Sequence, residues 1–363
     1  MGGKLCFLYF LFSPYPNDIM AVTETGVSYY GLSYVEHARR DFQEMIDHNC
    51  NAVIFALSEF DVDFWFPNIV RVAETAKEMG LRVYLDTWGV GKWFGGEPPS
   101  LFLTNNATNR QHSAFTDEAM PAACFNTEAF RRYYFEMVEK LATHVKAADG
   151  FFWDEPHYAL PKSYASITGG AGDDWSCRCP ICRKLFEAEY GYEMPRQLTM
   201  EVKRFRHDHA LDILEESTRR IKRIQPDAKI VCCVHATLGT YYVTENRGYD
   251  NWDKVGRSIA CDVFSTTILS YSLPRSFFKS ITQRTLDIAK KYGKGSQRWL
   301  MNYYQQPENV AEIEEICKLY SDMGVESLFA WTYRGGYGTV LAAPNALEMW
   351  AALGRGYGAV LQR

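Results

Sequence analysis

The sequence predicts a single α/β barrel of the (β/α)8 type, and three observations carry that prediction. Segments with the apolar pattern of buried strands alternate with segments of helical periodicity, and eight strands can be counted along the chain. Of the 363 residues, 47% are apolar, which is ample for one large core. The turn after the first strand, residues 29–33, lacks the G-x-G-x-x-G pattern of a doubly wound nucleotide-binding sheet. An open doubly wound sheet is therefore the less favoured alternative.

The predicted strands are short runs rich in β-branched and aromatic residues. They span residues 26–30, 51–57, 81–87, 150–153, 229–235, 261–267, 298–303 and 327–332. Helices are expected at residues 35–47, 67–79, 127–146, 200–224, 275–292, 308–323 and 346–353. Polar stretches rich in turn residues follow the third and fourth strands, so long loops are expected there. An apolar run at residues 5–12 predicts one extra strand in an N-terminal extension, residues 1–24, before a barrel of residues 25–363.

The composition excludes several classes of function. The chain carries 39 Lys and Arg against 44 Asp and Glu, and this balance argues against a nucleic-acid partner, which requires a basic face. No run approaches the roughly 18 apolar residues of a membrane helix. Most single cysteines lie inside apolar runs, as buried thiols in a reducing compartment do, which predicts a cytoplasmic protein. Secretion by cleavage of the N-terminal apolar run is the alternative.

The ends of the predicted strands indicate the kind of ligand, because the active site of such a barrel lies at the carboxyl ends of its strands. These ends are rich in carboxylates, amides and aromatic rings and contain few Lys or Arg. Sugars have apolar faces that stack on aromatic rings and hydroxyl groups that need donors and acceptors. The pattern therefore predicts a carbohydrate ligand. The residues expected to contact it are Tyr30, Asp86, Trp88, His235, Asn302, Tyr303 and Trp331. For His235, a core position with satisfied ring nitrogens is an equal alternative.

The segment Phe-Phe-Trp-Asp-Glu-Pro at residues 151–156 is the sharpest local feature, since an apolar strand runs into two adjacent acids, Asp154 and Glu155. Adjacent side chains on a strand point to opposite faces, so one of the two points inward unless the backbone breaks. A carboxyl group beside Trp153 in a dry pocket would have a raised pKa, as a general acid requires. A helix cap or an ion pair at the strand end is the structural alternative, and the position at the fourth strand end favours catalysis.

Taken in order along the chain, these residues resemble the catalytic barrel of glycoside hydrolase family 42, the β-galactosidases of the clan whose acid/base strand carries Asn-Glu-Pro. The similar segments are residues 26–30, 51–54, 80–87, 124–131, 300–301 and 329–331. The most specific segment is Cys-x-Cys-x-x-Cys at residues 177–182, with the Phe and Tyr-Gly that follow it. The resemblance implies Glu155 as the general acid/base, Arg110 as a sugar contact, and a homo-oligomeric assembly. For Arg110, a solvated loop charge is an equal alternative.

The resemblance also implies a structural zinc ion bound by Cys124, Cys177, Cys179 and Cys182. Three of these thiols come from one loop, and zinc prefers four tetrahedral ligands. A cysteine before the third helix can reach the neighbouring loop after the fourth strand. Such a site is closed, so we expect it to hold two long loops and to take no part in catalysis. Redox-active or incidental thiols are the alternative.

Two positions depart from the family pattern. Asp154 stands where the clan has the Asn that contacts the sugar 2-hydroxyl group, and Asn302 stands where the family places its nucleophilic Glu. Because Asn cannot form the glycosyl-enzyme ester, retention through a nucleophile on the seventh strand is not expected.

Three interpretations remain open. In the first, Glu155 is the acid, and Asp154 orients or deprotonates a substrate group such as a 2-acetamido group, whose oxygen attacks the anomeric carbon. In the second, the enzyme inverts, and one of the rim carboxylates Asp86, Glu59 and Asp61 activates water. In the third, the barrel binds sugar without cleaving it, which the missing nucleophile favours and the Trp-Asp-Glu-Pro segment disfavours.

Overall fold

A computed structural model describes residues 21–96, 98–159, 174–236, 247–267, 270–303 and 307–361. Eight parallel strands form a closed barrel, so the predicted (β/α)8 architecture is confirmed. In chain order the ten described strands are β1 (Glu24–Tyr29), β2 (Ala52–Ala56), β3 (Arg82–Asp86), β4 (Arg110–His112), β5 (Ala119–Ala123), β6 (Gly150–Asp154), β7 (Lys229–Val234), β8 (Val263–Thr266), β9 (Gly295–Met301) and β10 (Ser327–Trp331). β4 and β5 form a separate antiparallel pair, and β10 closes the barrel on β1. The strand predicted at residues 5–12 lies outside the described residues.

Helices pack around the barrel. They are α1 (Val35–Asp47), α2 (Glu59–Phe64), α3 (Phe66–Glu78), α4 (Leu101–Asn105), α5 (Glu128–His144), α6 (Pro180–Tyr190), α7 (Met200–Ile224), α8 (Trp252–Arg257), α9 (Arg275–Tyr292), α10 (Val310–Asp322) and α11 (Ala346–Leu361). The long helices bury one face, as α1 does with Ala38, Phe42 and Met45 at helical spacing. None of the helices in the described ranges combines the length and the apolarity needed to cross a bilayer.

Alternate residues of the strands fill the barrel interior, because successive side chains on a strand point to opposite faces. Asp86 of β3 pairs with Phe152 of β6, and Phe152 and Tyr84 both point inward. Asp86 follows Tyr84 by two positions, and Asp154 follows Phe152 by two positions. The alternation therefore places both acids at the carboxyl end of the barrel. The interior cluster below them consists of Ala52, Ile54, Tyr84, Phe152, Val231, Cys233, Trp299 and Phe329.

The long loops contain more regular structure than the sequence predicts. The loop after β3 includes α4 and the β4–β5 pair, and α6 lies between β6 and α7. The elements α4, β4 and β5 are short, so windows of about 11–18 residues do not reveal their periodicity. The last helix also continues beyond its predicted end at residue 353, because its glycines allow close packing. A Cβ atom at Gly354 would lie 2.9 Å from the side chain of His48.

Candidate active site

A break in the backbone after β6 brings the carboxyl groups of Asp154 and Glu155 to the same place. Glu155 has a φ angle of +45°, a left-handed conformation that is uncommon outside glycine. This turn takes Glu155 out of the strand alternation that would otherwise point it away from Asp154. As a result, one oxygen of each carboxyl group and the Cys233 Sγ lie within 4.8 Å of one another.

Groups from the neighbouring strands contact both oxygens of the Glu155 carboxyl group. The Thr267 hydroxyl donates a hydrogen bond to Oε1, and the His235 Nδ1 lies 3.6 Å from Oε2. The His157 Nδ1 donates to the Glu155 carbonyl oxygen at 2.7 Å. Burial raises the pKa of Glu155 to about 7, and the positive charge of Arg247 opposes that rise. A carboxyl group with this pKa is protonated below neutral pH and can act as a general acid.

The ionisation of Glu155 predicts the pH dependence of a reaction in which this residue donates a proton. An ordinary Glu loses its proton near pH 4.5, whereas Glu155 keeps its proton up to about pH 7. We therefore expect kcat/KM to be retained at weakly acidic pH and to fall about tenfold per pH unit well above neutrality. Initial rates on para-nitrophenyl glycosides between about pH 4 and pH 9 would measure this limb. A fall centred near the ordinary Glu pKa would show that the acid is not Glu155 in this environment.

Asp86 and Asp154 are buried beside Glu155, and the three acids differ in accessibility. Burial raises the pKa of Asp154 well above its usual range, and the Glu155 charge raises it further. Burial also raises the pKa of Asp86, and both neighbouring charges add to that rise. Asp86 is fully buried, and no hydrogen-bond donor of the described residues reaches its carboxyl oxygens. Asp154 remains 8% exposed, and its carboxyl group packs on Gly95, where a Cβ atom would lie 2.2 Å from Oδ2. Of these two acids, Asp154 is the one that a ligand at the mouth can reach.

The other two candidate bases, Glu59 and Asp61, already have structural partners. Glu59 is buried and accepts hydrogen bonds from the backbone N–H groups of Gly91 at 2.7 Å and Phe102 at 2.6 Å. Asp61 accepts from the backbone N–H of Ser58 at 2.9 Å, in a capping box that begins α2. Both carboxylates thus stabilise the loops after β2 and β3. Among the three carboxylates proposed to activate water, the structure leaves only the enclosed Asp86 without such a role.

Aromatic rings from three strand ends meet at the mouth of the barrel. The ring centroid of Tyr30 lies 5.0 Å from that of Trp88 and 5.5 Å from that of Trp331. Burial raises the pKa of Tyr30, and the charges of Asp86 and Asp154 add to that rise, so this ring cluster adjoins the acids. Rings in such edge-to-face contacts present flat apolar surfaces on which a sugar can stack. The structure therefore brings together the predicted aromatic contacts and the predicted catalytic acids.

Asn302 follows β9, and part of its amide group is used inside the protein. The fully buried Asn302 donates a hydrogen bond from Nδ2 to the Thr332 carbonyl oxygen at 2.9 Å. Within the described ranges, no donor reaches its Oδ1. The neighbouring Tyr303 lies close enough to Tyr30 to contribute to the raised pKa of that phenol. Of the two sugar contacts predicted at this strand end, Tyr303 thus lies near the aromatic cluster, and Asn302 is fully buried.

The predicted zinc ligands form one buried cluster. Their four Sγ atoms lie within 4.8 Å of one another, and the Cys124 Sγ lies 3.6 Å from those of Cys179 and Cys182. Tetrahedral zinc with Zn–S bonds of about 2.3 Å places its sulfurs about 3.8 Å apart. The Asn126 Nδ2 donates to the Cys182 Sγ at 3.4 Å, as partners of metal-bound thiolates do. Residue types, spacing and burial all fit one zinc ion. The four cysteines are Cys124, Cys177, Cys179 and Cys182.

The predicted sugar contact Arg110 lies beside the cysteine cluster and not beside the two acids. It belongs to β4 and lines a cleft of about 460 Å³ together with Glu128, Arg132 and Pro180, next to the cysteine cluster. No contact of the described residues joins it to Asp154 or Glu155. The sequence reasoning also missed Arg247 as a site residue, because it lies in a loop without a recognisable motif.

Comparison with known proteins bears on the fold. No protein-family model matches the chain, and no curated protein matches its sequence. A β-galactosidase from Rahnella sp. R3 is similar over 95% of this chain and 57% of its own length, with 15% identity and a TM-score of 0.69. A GH42 β-galactosidase from G. stearothermophilus is similar over 94% of this chain and 57% of its own, with 12% identity and a TM-score of 0.68. An endo-1,4-β-mannanase from Rhizomucor miehei matches 94% of this chain and 95% of its own, with 13% identity and a TM-score of 0.59.

The chain thus spans less than three fifths of the length of these two β-galactosidases. Because the identities are at most 15%, the likeness bears on architecture and not on individual residues. This protein has the (β/α)8 barrel fold that these glycosidases share.

Proposed function

We propose that this barrel hydrolyses glycosidic bonds and that Glu155 is the general acid. The observation that carries the proposal is the partly buried Glu155 carboxyl group, whose pKa is raised to about 7, at the carboxyl end of the barrel beside aromatic rings. In the bond-breaking step, the glycosidic oxygen takes the Glu155 proton as the bond to the anomeric carbon breaks. The fold shared with β-galactosidases and a mannanase supports a carbohydrate substrate.

We propose Asp154 as the second catalytic group, acting through the substrate. Asn302 cannot form a glycosyl ester, Glu59 and Asp61 are engaged by loops, and Asp86 is enclosed. Asp154 is reachable and adjacent to Glu155. A carboxyl oxygen of Asp154 would accept the N–H of a 2-acetamido group, whose oxygen forms the bond to the anomeric carbon as the leaving oxygen departs. Water then opens the cyclic intermediate and returns the proton to Glu155.

The substrate and the product anomer test this mechanism together. We expect a para-nitrophenyl N-acetylhexosaminide to be hydrolysed with retention, and the matching 2-hydroxyl glycoside to react at least about 100-fold more slowly. Proton NMR of the first-formed anomer measures the stereochemistry. Inversion would contradict the role of Asp154 and favour a water-activating base such as Asp86, without removing the role of Glu155. Sugar binding without turnover on any glycoside would instead favour a non-catalytic carbohydrate-binding barrel, the function that Asn302 supports.

We also propose that Cys124, Cys177, Cys179 and Cys182 bind a structural zinc ion. The cluster joins the segment that precedes α5 to the segment that begins α6. Its sulfurs fill all four tetrahedral positions, so the ion would have no open position for a substrate or water. The role of the metal would be to stabilise two long loops that have little core of their own.

A further inference from the structure

A row of largely buried polar side chains adjoins the Glu155 carboxyl group. Thr267 follows β8, His235 follows β7, and Arg247 lies further along the chain. We infer that His235 and Arg247 are positioning residues that orient the Glu155 carboxyl group and stabilise its ionised form. The catalytic meaning of this inference rests on the proposed function, whereas its structural part does not.

The hydrogen bonds determine which nitrogen of His235 carries the proton. The Arg247 Nη1 lies 3.3 Å from the His235 Nε2, and a guanidinium group can only donate. Nε2 therefore accepts, and the proton of the neutral ring resides on Nδ1. Nδ1 is the atom 3.6 Å from the Glu155 Oε2. The Trp252 Nε1 donates to the His235 carbonyl oxygen at 3.2 Å and so anchors the backbone of this residue.

Burial keeps the His235 ring neutral. It is the main cause that lowers the His235 pKa, and the Arg247 charge lowers it further. His157 is itself neutral, because burial and the Arg247 charge lower its pKa to about 3. His235 therefore presents an N–H group to Glu155 and is no partner in an ion pair. The positive end of its N–H dipole faces Glu155 at 3.6 Å, beyond hydrogen-bond distance, and Arg247 adds a permanent positive charge.

Glu155 is thus enclosed by groups of opposite effect. Burial raises the pKa values of the neighbouring Asp154, Asp86 and Cys233, and the Glu155 charge raises them further. In contrast, Thr267 donates to Oε1, the His235 Nδ1 faces Oε2 and Arg247 supplies a positive charge. The row therefore favours the carboxylate that forms when the proton leaves for the glycosidic oxygen. Replacing the side chains of His235 and Arg247 with apolar or neutral ones should therefore lower kcat more than it changes KM.

The test follows the proton of the Glu155 cluster and needs no substrate. Subtracting infrared spectra of the matching variant that also carries Glu155→Gln leaves the carbonyl band that depends on Glu155, and its intensity against pH gives a midpoint shared by the coupled acids Glu155, Asp154 and Asp86. We expect Arg247→Gln to raise this midpoint by roughly one pH unit or more, because a positive charge is lost. His235→Leu should also raise it, because the polar N–H group that faces Oε2 is lost. Arg247→Lys and His235→Gln keep the charge and the donor, respectively, and should restore most of the wild-type value.

The matched control is Arg39→Gln on α1, whose guanidinium pairs with Glu78 on the protein surface. It should leave the midpoint unchanged. A midpoint unmoved by both Arg247→Gln and His235→Leu would overturn the inference, as would an equal shift in the control. If His235→Leu does not fold, the midpoint of Arg247→Gln alone tests the inference, because Gln keeps a polar side chain in that position. A shifted midpoint in a protein that cleaves no glycoside would refute the proposed function and leave the positioning role intact.

Discussion

Replacing Glu155 with Gln is expected to lower kcat on glycosides by about 10²–10⁴-fold, the usual contribution of a general acid. Gln has nearly the same shape and keeps an oxygen that can accept from Thr267, but it has no proton to give to the leaving oxygen. Sugar binding should therefore persist. Steady-state rates on para-nitrophenyl glycosides measure the loss, and titration calorimetry with the product sugar measures binding.

Glu308→Gln is the matched control for this substitution. Glu308 is exposed in a short turn after β9, close in sequence to the position where the family places its nucleophile. Turnover of this variant should stay within about twofold of wild type, as for surface substitutions away from a site. If Glu308→Gln lost as much activity as Glu155→Gln, the second catalytic group would have to be sought at this turn and not at Asp154.

Removal of the proposed zinc should have the largest effect on stability. The variant Cys182→Ser is expected to lose one equivalent of zinc and more than about 4 kcal/mol of unfolding free energy, because structural zinc binding is coupled to folding. Only three of the four clustered thiols remain to bind the ion in this variant, and the two loops lose their cross-link. Metal analysis by mass spectrometry gives the zinc content, and urea unfolding gives the stability.

Cys261→Ser separates the metal effect from the cost of burying a hydroxyl group. Cys261 is also a buried free thiol, and it lies outside the four-cysteine cluster. This variant should keep its zinc and lose about 1–3 kcal/mol, the usual cost of an unpaired buried hydroxyl. A wild-type protein without zinc, or a Cys182→Ser variant as stable as Cys261→Ser, would contradict a structural metal site.

The sequence predicted the barrel and its main helices well, because these depend on local periodicity. The helices at residues 35–47, 200–224 and 275–292 have the predicted bounds. Each combines an apolar stripe of helical spacing with a clear change of pattern at its ends. The short elements α4, β4 and β5 were missed because a few residues carry no periodic signal. The predicted ends of the third and fourth strands also placed Asp86 and Asp154 at the mouth, as the structure has them.

The contacts that give the candidate site its chemistry could not be predicted, since they join residues distant in the chain. The bond from Thr267 to Glu155 spans 112 positions, and its geometry depends on the left-handed turn at Glu155. No sequence pattern indicated this turn or the role of Arg247 behind His235. Glu59 looked like a free rim carboxylate, and its backbone donors appear only once the loop after β3 is folded. The implied sugar contact Arg110 lies beside the cysteine cluster, because its loop forms the β4–β5 pair.

The dependence of the rate on the leaving group tests the role of Glu155 most directly. A series of aryl glycosides that share one sugar and differ in the acidity of the departing phenol would be hydrolysed by wild type and by Glu155→Gln. The account predicts a shallow dependence for wild type, because Glu155 protonates the departing oxygen, and a steep dependence for the variant, which must expel a phenolate. Equal slopes for the two proteins would show that Glu155 does not protonate the leaving group and would contradict the proposed mechanism.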